Sequence, residues 1–347
     1  MPESSLLSPR APLCLQSFPR APHPPVQVGH KVHSVVPRAL LPASGDPAED
    51  LAGLPELTFG RIFTTWGIDP LLFIGLVWAA GLYAYGVYVL HQRGDRWPVG
   101  RSVGFGLGIA TFFFVTHSGL GAYDTVLLSV HMVQHMVLSM VVPLLLALGA
   151  PVTLALRTLP RKPRGWLLAV LHSRVAKVLS FPPLTLALFI VSPWMLYFSS
   201  WYDASLTSEY IHEMTHVHLV LVGCLFFWPL VGADPVPGKV SYPFRLLLMV
   251  MTLPFHAILG LAIMDQQTLI GREWYLSLRE GPLGSWLPSA AEDQHLAGGI
   301  LWGSGELVGL LFVGVLFVQW VRSSMAEARR EDRRLDRLER RERLRQG

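Results

Sequence analysis

The segment TVLLSVHMVQHMVLSMVVPLLLALG, Thr125–Gly149, decides how the chain folds. It contains no Asp, Glu, Lys or Arg, and it exceeds the roughly 20 apolar residues that a helix needs to cross the hydrocarbon core of a bilayer. Inside it His131 and His135 stand four residues apart, with Met132, Met136 and Met140 beside them. Positions i and i+4 differ by about 40° around a helix of 3.6 residues per turn, so both imidazoles can face one point. An imidazole pair at membrane depth is costly and marks a functional site by default.

The rest of the chain reads the same way. Of 347 residues, 51% are hydrophobic and 15% charged, with mean hydropathy +0.42, whereas soluble domains carry roughly 25% charged residues. The pattern predicts an all-α polytopic membrane bundle with seven spans: Asp69–Leu90, Val99–Thr116, Thr125–Gly149, Leu184–Phe198, Tyr210–Val231, Phe244–Met264 and Ala297–Val321. The fourth is the shortest and contains Pro193, which membrane helices tolerate when neighbours satisfy the freed carbonyl. Two cysteines, Cys14 and Cys224, exclude a disulfide framework. The net charge of +4 comes with no nucleic-acid-binding module.

Lysine and arginine set the expected orientation. Arg93, Arg96 and Arg101 follow span one; six basic residues from Arg157 to Lys177 follow span three; Lys239 and Arg245 follow span five; ten arginines follow span seven. The opposite connections carry only Arg272 and Arg279. This places the N-terminus outside and the C-terminus in the cytoplasm. Residues 1–53 are Pro-rich and lack the apolar core of a signal peptide, so they read as a disordered leader. Residues 54–321 form the membrane domain, opened by an interfacial helix in LPELTFGRIFTTW, Leu54–Trp66. Residues 322–347 mix arginine with Asp and Glu at helical spacing, the pattern of a solvated charged helix.

With this topology eight of the thirteen histidines fall in the outer half of the membrane or at its outer surface: His117, His131, His135, His212, His216, His218, His256 and His295. At about 1.5 Å rise per residue, His131 lies roughly 9 Å deep, His135 about 15 Å, and His216, His218 and His256 about 9–12 Å. His212 and His216 repeat the i,i+4 spacing. His216 and His218 are separated by about 200° around the helix, so at most one of them can join a small site. Imidazole suits Zn, Cu, Fe and Ni, and thioether favours Cu(I); Met132, Met136, Met214 and Met264 share the layer. HEMTH, His212–His216, fits the zinc-protease pattern H-E-x-x-H with Glu213 as base. His135 and His218 could instead be axial ligands of a haem, or all the imidazoles could serve only as hydrogen bonders between helices. Asp265 stands at the outer end of span six and Glu306 a third of the way into span seven; Asp124 and Asp203 fall on outer connections, where solvation is expected.

The blocks THSGLGAYDTVLLSVHMVQHMVLSMVVPLLLALGAPVTLALR, VHLVLVGCLFFWPLVGADP, PFHAILGLAIM and DQHLAGGILWGSGE resemble the cytochrome c oxidase assembly factor CtaG family, in its actinobacterial form. The likeness covers about Leu54 to Arg330. It implies a multi-pass protein of the bacterial plasma membrane that helps to assemble haem–copper oxidase, with copper as the cargo and the oxidase subunits or another copper chaperone as partners. The family pattern falls on His117, His131, His135, His212, His218, His256, Asp293 and Gln294; His216 and His295 lie outside it. The resemblance therefore implies a copper site formed by His131, His135, His218 and His256, with His117 and His212 at its mouth. Asp293 and Gln294, with Asp265 and Glu306, would orient the ligands or gate the site. A catalytic role is not expected.

Overall fold

A computed structural model describes Leu51, residues 53–235 and residues 240–346; the leader expected at 1–53 lies outside the described residues apart from Leu51 and Gly53. Among the described residues every regular element is helical. A short helix α1 (Phe59–Thr64) precedes α2 (Pro70–Gln92) and α3 (Val99–His117). A tight α4 (Gly119–Tyr123) leads into the central rod, made of α5 (Leu128–Met136), a π-helical turn (Val137–Val141) and α6 (Val142–Leu148). Then come α7 (Pro151–Thr158), α8 (Arg161–Leu171), α9 (Arg174–Leu179), α10 (Pro182–Tyr197), α11 (Ser200–Thr207), α12 (Glu209–Val231), α13 (Tyr242–Asp265), α14 (Arg272–Glu280) and α15 (Ala290–Gln346).

Six helical stretches are long and apolar enough to cross a membrane, and a seventh span exists if α10 and α11, bent by 66° at their junction, are one. This is a membrane protein. The broken span is the one whose sequence reads as short. The 16 residues of α10 reach only about 24 Å, less than the hydrocarbon thickness of about 30 Å. Ser199 then caps α11, accepting from Trp201 N, and turns the chain aside. Helix α15 has the opposite character. Its 57 residues make a rod of about 85 Å, so its arginine-rich end extends far beyond any bilayer.

Much of the central rod is buried: Met132, Leu138 and Met140 are fully enclosed. It packs against α3, α12 and α15. The π-turn has a local cause. Pro143 has no N–H to return to Ser139 O, and the helix widens over the residues before it. Helix α12 fits against this turn at Gly223, where a Cβ would collide with the Ser139 carbonyl and the Pro143 ring. At the far end of the rod Ala150 adopts the left-handed region (φ 48°). The following α7 starts on a remote cap: Asp234 accepts from Val152 N (3.2 Å) and Thr153 N (2.6 Å). Helix α2 lies outermost and exposes Leu71, Ile74, Val77, Trp78 and Leu82, a face suited to lipid.

Helices α13 and α15 meet through reciprocal glycines. A Cβ on Gly298 would lie 2.6 Å from Gly260 O, and one on Gly260 would lie 2.7 Å from Gly298 O. Small residues at such crossings let backbones approach where no hydrophobic drive between helices exists. Gly298→Ala is therefore expected to lower the melting temperature of the detergent-purified protein. Gly299→Ala, at a position with nothing within 4 Å, should leave it unchanged.

Candidate functional site

The site lies where α4, α5, α11, α12 and α14 converge at one end of the bundle. Its starting point is the first turn of α5. Orphan N–H groups there have no intrahelical acceptor. Asp293, from the first turn of α15, supplies one: it accepts from Leu128 N (2.7 Å) and Ser129 N (3.2 Å) and is itself buried. Arg279 on α14 reaches the same carboxylate at 3.9 Å. Gln294 ties down the neighbouring connection, accepting from Ile270 N (2.8 Å) and donating to Ile263 O (3.2 Å). Both residues thus hold helix ends. They do not face an imidazole as orienting or gating groups.

With α5 so fixed, His131 and His135 point the same way, with ring centroids 6.5 Å apart. The His131 ring lies 6.2 Å from that of His212, 5.1 Å from Tyr202 and 5.9 Å from Tyr197. Next to it, Asp124, His212 and His216 each offer a ligand atom, and the three atoms lie within 4.8 Å of one another. His212 Nε2 donates to Asp124 Oδ2 at 2.9 Å, and His216 Nε2 lies 3.7 Å from the same oxygen. Donors about 2.1 Å from a tetrahedral ion stand about 3.4 Å apart, close to these separations. His216 is braced on both sides. Its Nε2 donates to Gln134 Oε1 (2.9 Å), and Gln134 is oriented by donating through Nε2 to Val115 O (3.0 Å). Its Nδ1 faces Glu213 at 3.2 Å.

His131 differs from its neighbours. It is 1% exposed, and neither ring nitrogen has a hydrogen-bond partner. Buried polar groups are almost always satisfied, and an exception calls for an unseen ligand, water or ion. Two imidazoles and a carboxylate, with the His131 ring beside them, form a donor set suited to a divalent transition metal. An ion there would displace the Nε2 protons of His212 and His216, as metal binding at imidazole requires.

The remaining expected ligands go elsewhere. His135 shares a 2.6 Å hydrogen bond with the Tyr197 hydroxyl. His256 bonds back to Thr252 O (3.1 Å) and packs on Phe189. His218 is turned to the Ser192 hydroxyl and stacks edge-on against Trp201. Of the pair separated by 200°, it is His216 that enters the group, because that face of α12 meets the central rod. His117 is buried against α3 and α2, bonding Thr116 Oγ1 (2.7 Å) and approaching Asp69 O (3.4 Å), away from the group. Asp265 is exposed at the end of α13 and Glu306 half-buried in α15; neither joins it. Asp124, whose place on a connection suggests solvation, is 1% exposed. No local signal foretells this. The α3–α4 corner folds it inward: Gly119 there leaves no room for a side chain beneath α1, since its Cβ would lie 2.7 Å from Ile62 Cα. Glu213 stands behind His216, on its Nδ1 side, so it is not placed beside a water on an ion held at Nε2, as a zinc protease would need.

The molecule is a multi-span helical membrane protein with a buried carboxylate–imidazole group whose ligand atoms could hold a metal ion. Residues 81–323 match the family described as cytochrome c oxidase caa3 assembly factor, and the chain belongs to that family. Uncharacterised proteins of Mycobacterium bovis and Mycobacterium tuberculosis are each 42% identical over 287 residues, covering 80% of this chain and 43% of theirs. One of Mycobacterium leprae is 37% identical over 283 residues, covering 80% of this chain and 42% of its own. The chain thus spans less than half the length of these relatives. No solved structure matches it.

Loss of the cross-helix cap should be felt at once. Asp293→Ala is expected to cost about 1–2 kcal/mol of stability, the upper range for a helix cap, measured as a lower melting temperature in detergent. Asp265→Ala, at an exposed position, should cost nothing measurable.

Proposed function

We propose that the protein assists assembly of a haem–copper cytochrome oxidase by holding a copper ion at His131, His212, His216 and Asp124 and passing it on. Copper is cargo here, and the protein acts as a relay, not a catalyst. The observation that carries the reading is His131, enclosed in the bundle with both ring nitrogens unpartnered beside a converging His/Asp group. Imidazoles with one carboxylate accommodate Cu(II). Membership of an oxidase assembly family supports copper over zinc. The distribution of Lys and Arg supports a plasma-membrane orientation with this end of the bundle outside. From there the ion would pass by ligand exchange to an oxidase subunit or to another copper chaperone.

The two roles divided among the histidines give the test. Metal analysis of protein purified in detergent after growth with copper should find about one copper per chain, as a single four-donor site holds. His131→Ala and His212→Ala should each lose most of it. His218→Ala, which removes only the contact with Ser192 and Trp201, should keep it. Zinc in place of copper would overturn the choice of metal, and equal copper in His131→Ala would overturn the site.

A further inference from the structure

The histidine group is enclosed, yet a cavity of about 630 Å³ stops just short of it. This cavity lies between the bend joining α10 to α11 and the connection from α13 to α14. Its walls include Tyr197, Tyr202, Asp203, Thr207, Gln266 and Glu273. Two of these, Tyr197 and Tyr202, are the residues whose rings lie against His131, at 5.9 and 5.1 Å between centroids. One layer of aromatic rings therefore separates the cavity from an imidazole with two unpartnered nitrogens.

The chemistry of the walls suits a cation. Asp203 and Glu273 are exposed at the rim, where Arg272 is the cation beside them. Gln266 contributes a polar side chain to the wall. A second cleft, about 660 Å³ between α2 and α3, has the opposite chemistry: it is lined by Phe73, Tyr83, Phe105 and similar residues and touches none of the histidine group.

A polar contact holds the inner wall. Tyr202 OH and Tyr275 OH share a hydrogen bond of 2.7 Å, and burial pushes the Tyr275 phenol above its ordinary range, so it stays a neutral hydroxyl. Tyr275 belongs to α14, which is anchored to the start of the central rod by Trp274 Nε1 donating to Thr125 O (2.7 Å). Gly271, in the left-handed region at φ 61°, gives the turn from which α14 begins. The bond thus ties the ring of Tyr202 to a helix lying across the end of the bundle.

We infer that this cavity is the route by which the metal ion reaches His131, and that the Tyr202 ring, latched to Tyr275, is its inner gate. The inference rests on the metal-holding reading above. It predicts kinetics, not affinity, because the walls are not ligands. Copper(II) uptake by the intact detergent-purified protein can be timed by rapid mixing, quenching with excess chelator and metal analysis. Thr207→Trp and Glu273→Trp fill the cavity from opposite walls at exposed positions. Each should slow uptake about tenfold, the effect of a small added barrier, with final copper content unchanged. Tyr202→Phe keeps the ring and loses the latch, and should speed uptake severalfold. Wild-type rates in all three variants at wild-type final content would overturn the route and leave the copper site standing. Failure of the wild-type protein to take up copper would overturn the copper site itself.

Discussion

Helix α5 begins on a carboxylate that belongs to another helix. Its first N–H groups lie inside a bundle from which water is excluded, and each would cost several kcal/mol if left bare in such a medium. Asp293 answers two of them from the start of α15, and Arg279 of α14 answers Asp293. Helix α5 is thereby locked to two neighbouring elements far from it along the chain. The position and phase of α5 follow from that lock, and with them the direction in which His131 and His135 project. Asp234 does the same work at the opposite end of the rod, where it caps α7 and takes a further hydrogen bond from Trp228 Nε1 at 2.9 Å. The rod is held at both ends by aspartates reaching in from elsewhere, which explains how a helix with histidines and a π-turn in its middle keeps a fixed register.

The site then depends on braces as much as on ligands. His216 is positioned by Gln134, and Gln134 by a backbone carbonyl of α3. His212 is positioned by Asp124. Tyrosines 197 and 202 fill the space between these groups and the surface. Beside this group, His131 has no partner at either nitrogen. In an interior where most polar groups are paired, such an exception stands out.

Much of this is legible in the sequence. Length and hydropathy locate the spans, and the one that reads as short is the bent pair α10–α11. The i,i+4 histidine pairs at 131/135 and 212/216 are visible as pairs. What cannot be read is phase. In a soluble helix a polar face shows which side looks inward. In a membrane bundle the lipid side and the core side are both apolar, so nothing in α12 chooses between His216 and His218. The family resemblance points to His218; packing against the central rod brings in His216. Asp293 and Gln294 stand out in the sequence, but their work is to hold helix ends. Asp124 reads as solvated because a connection normally lies in water, and only the tight α3–α4 corner draws it inside.

The π-turn at Val137–Val141 has a consequence of its own. A π-turn carries one residue more than an α-turn, so the helix beyond it is rotated by about 100° relative to an uninterrupted one. The central rod is therefore two helices in different phase joined end to end. The upper one turns His131 toward His212 of α12, and the lower one packs Pro143 against Gly223 of that same helix. A straight helix with this sequence could satisfy one of those contacts but not both. The extra residue lets a single rod serve two separate rotational settings, one for chemistry and one for packing.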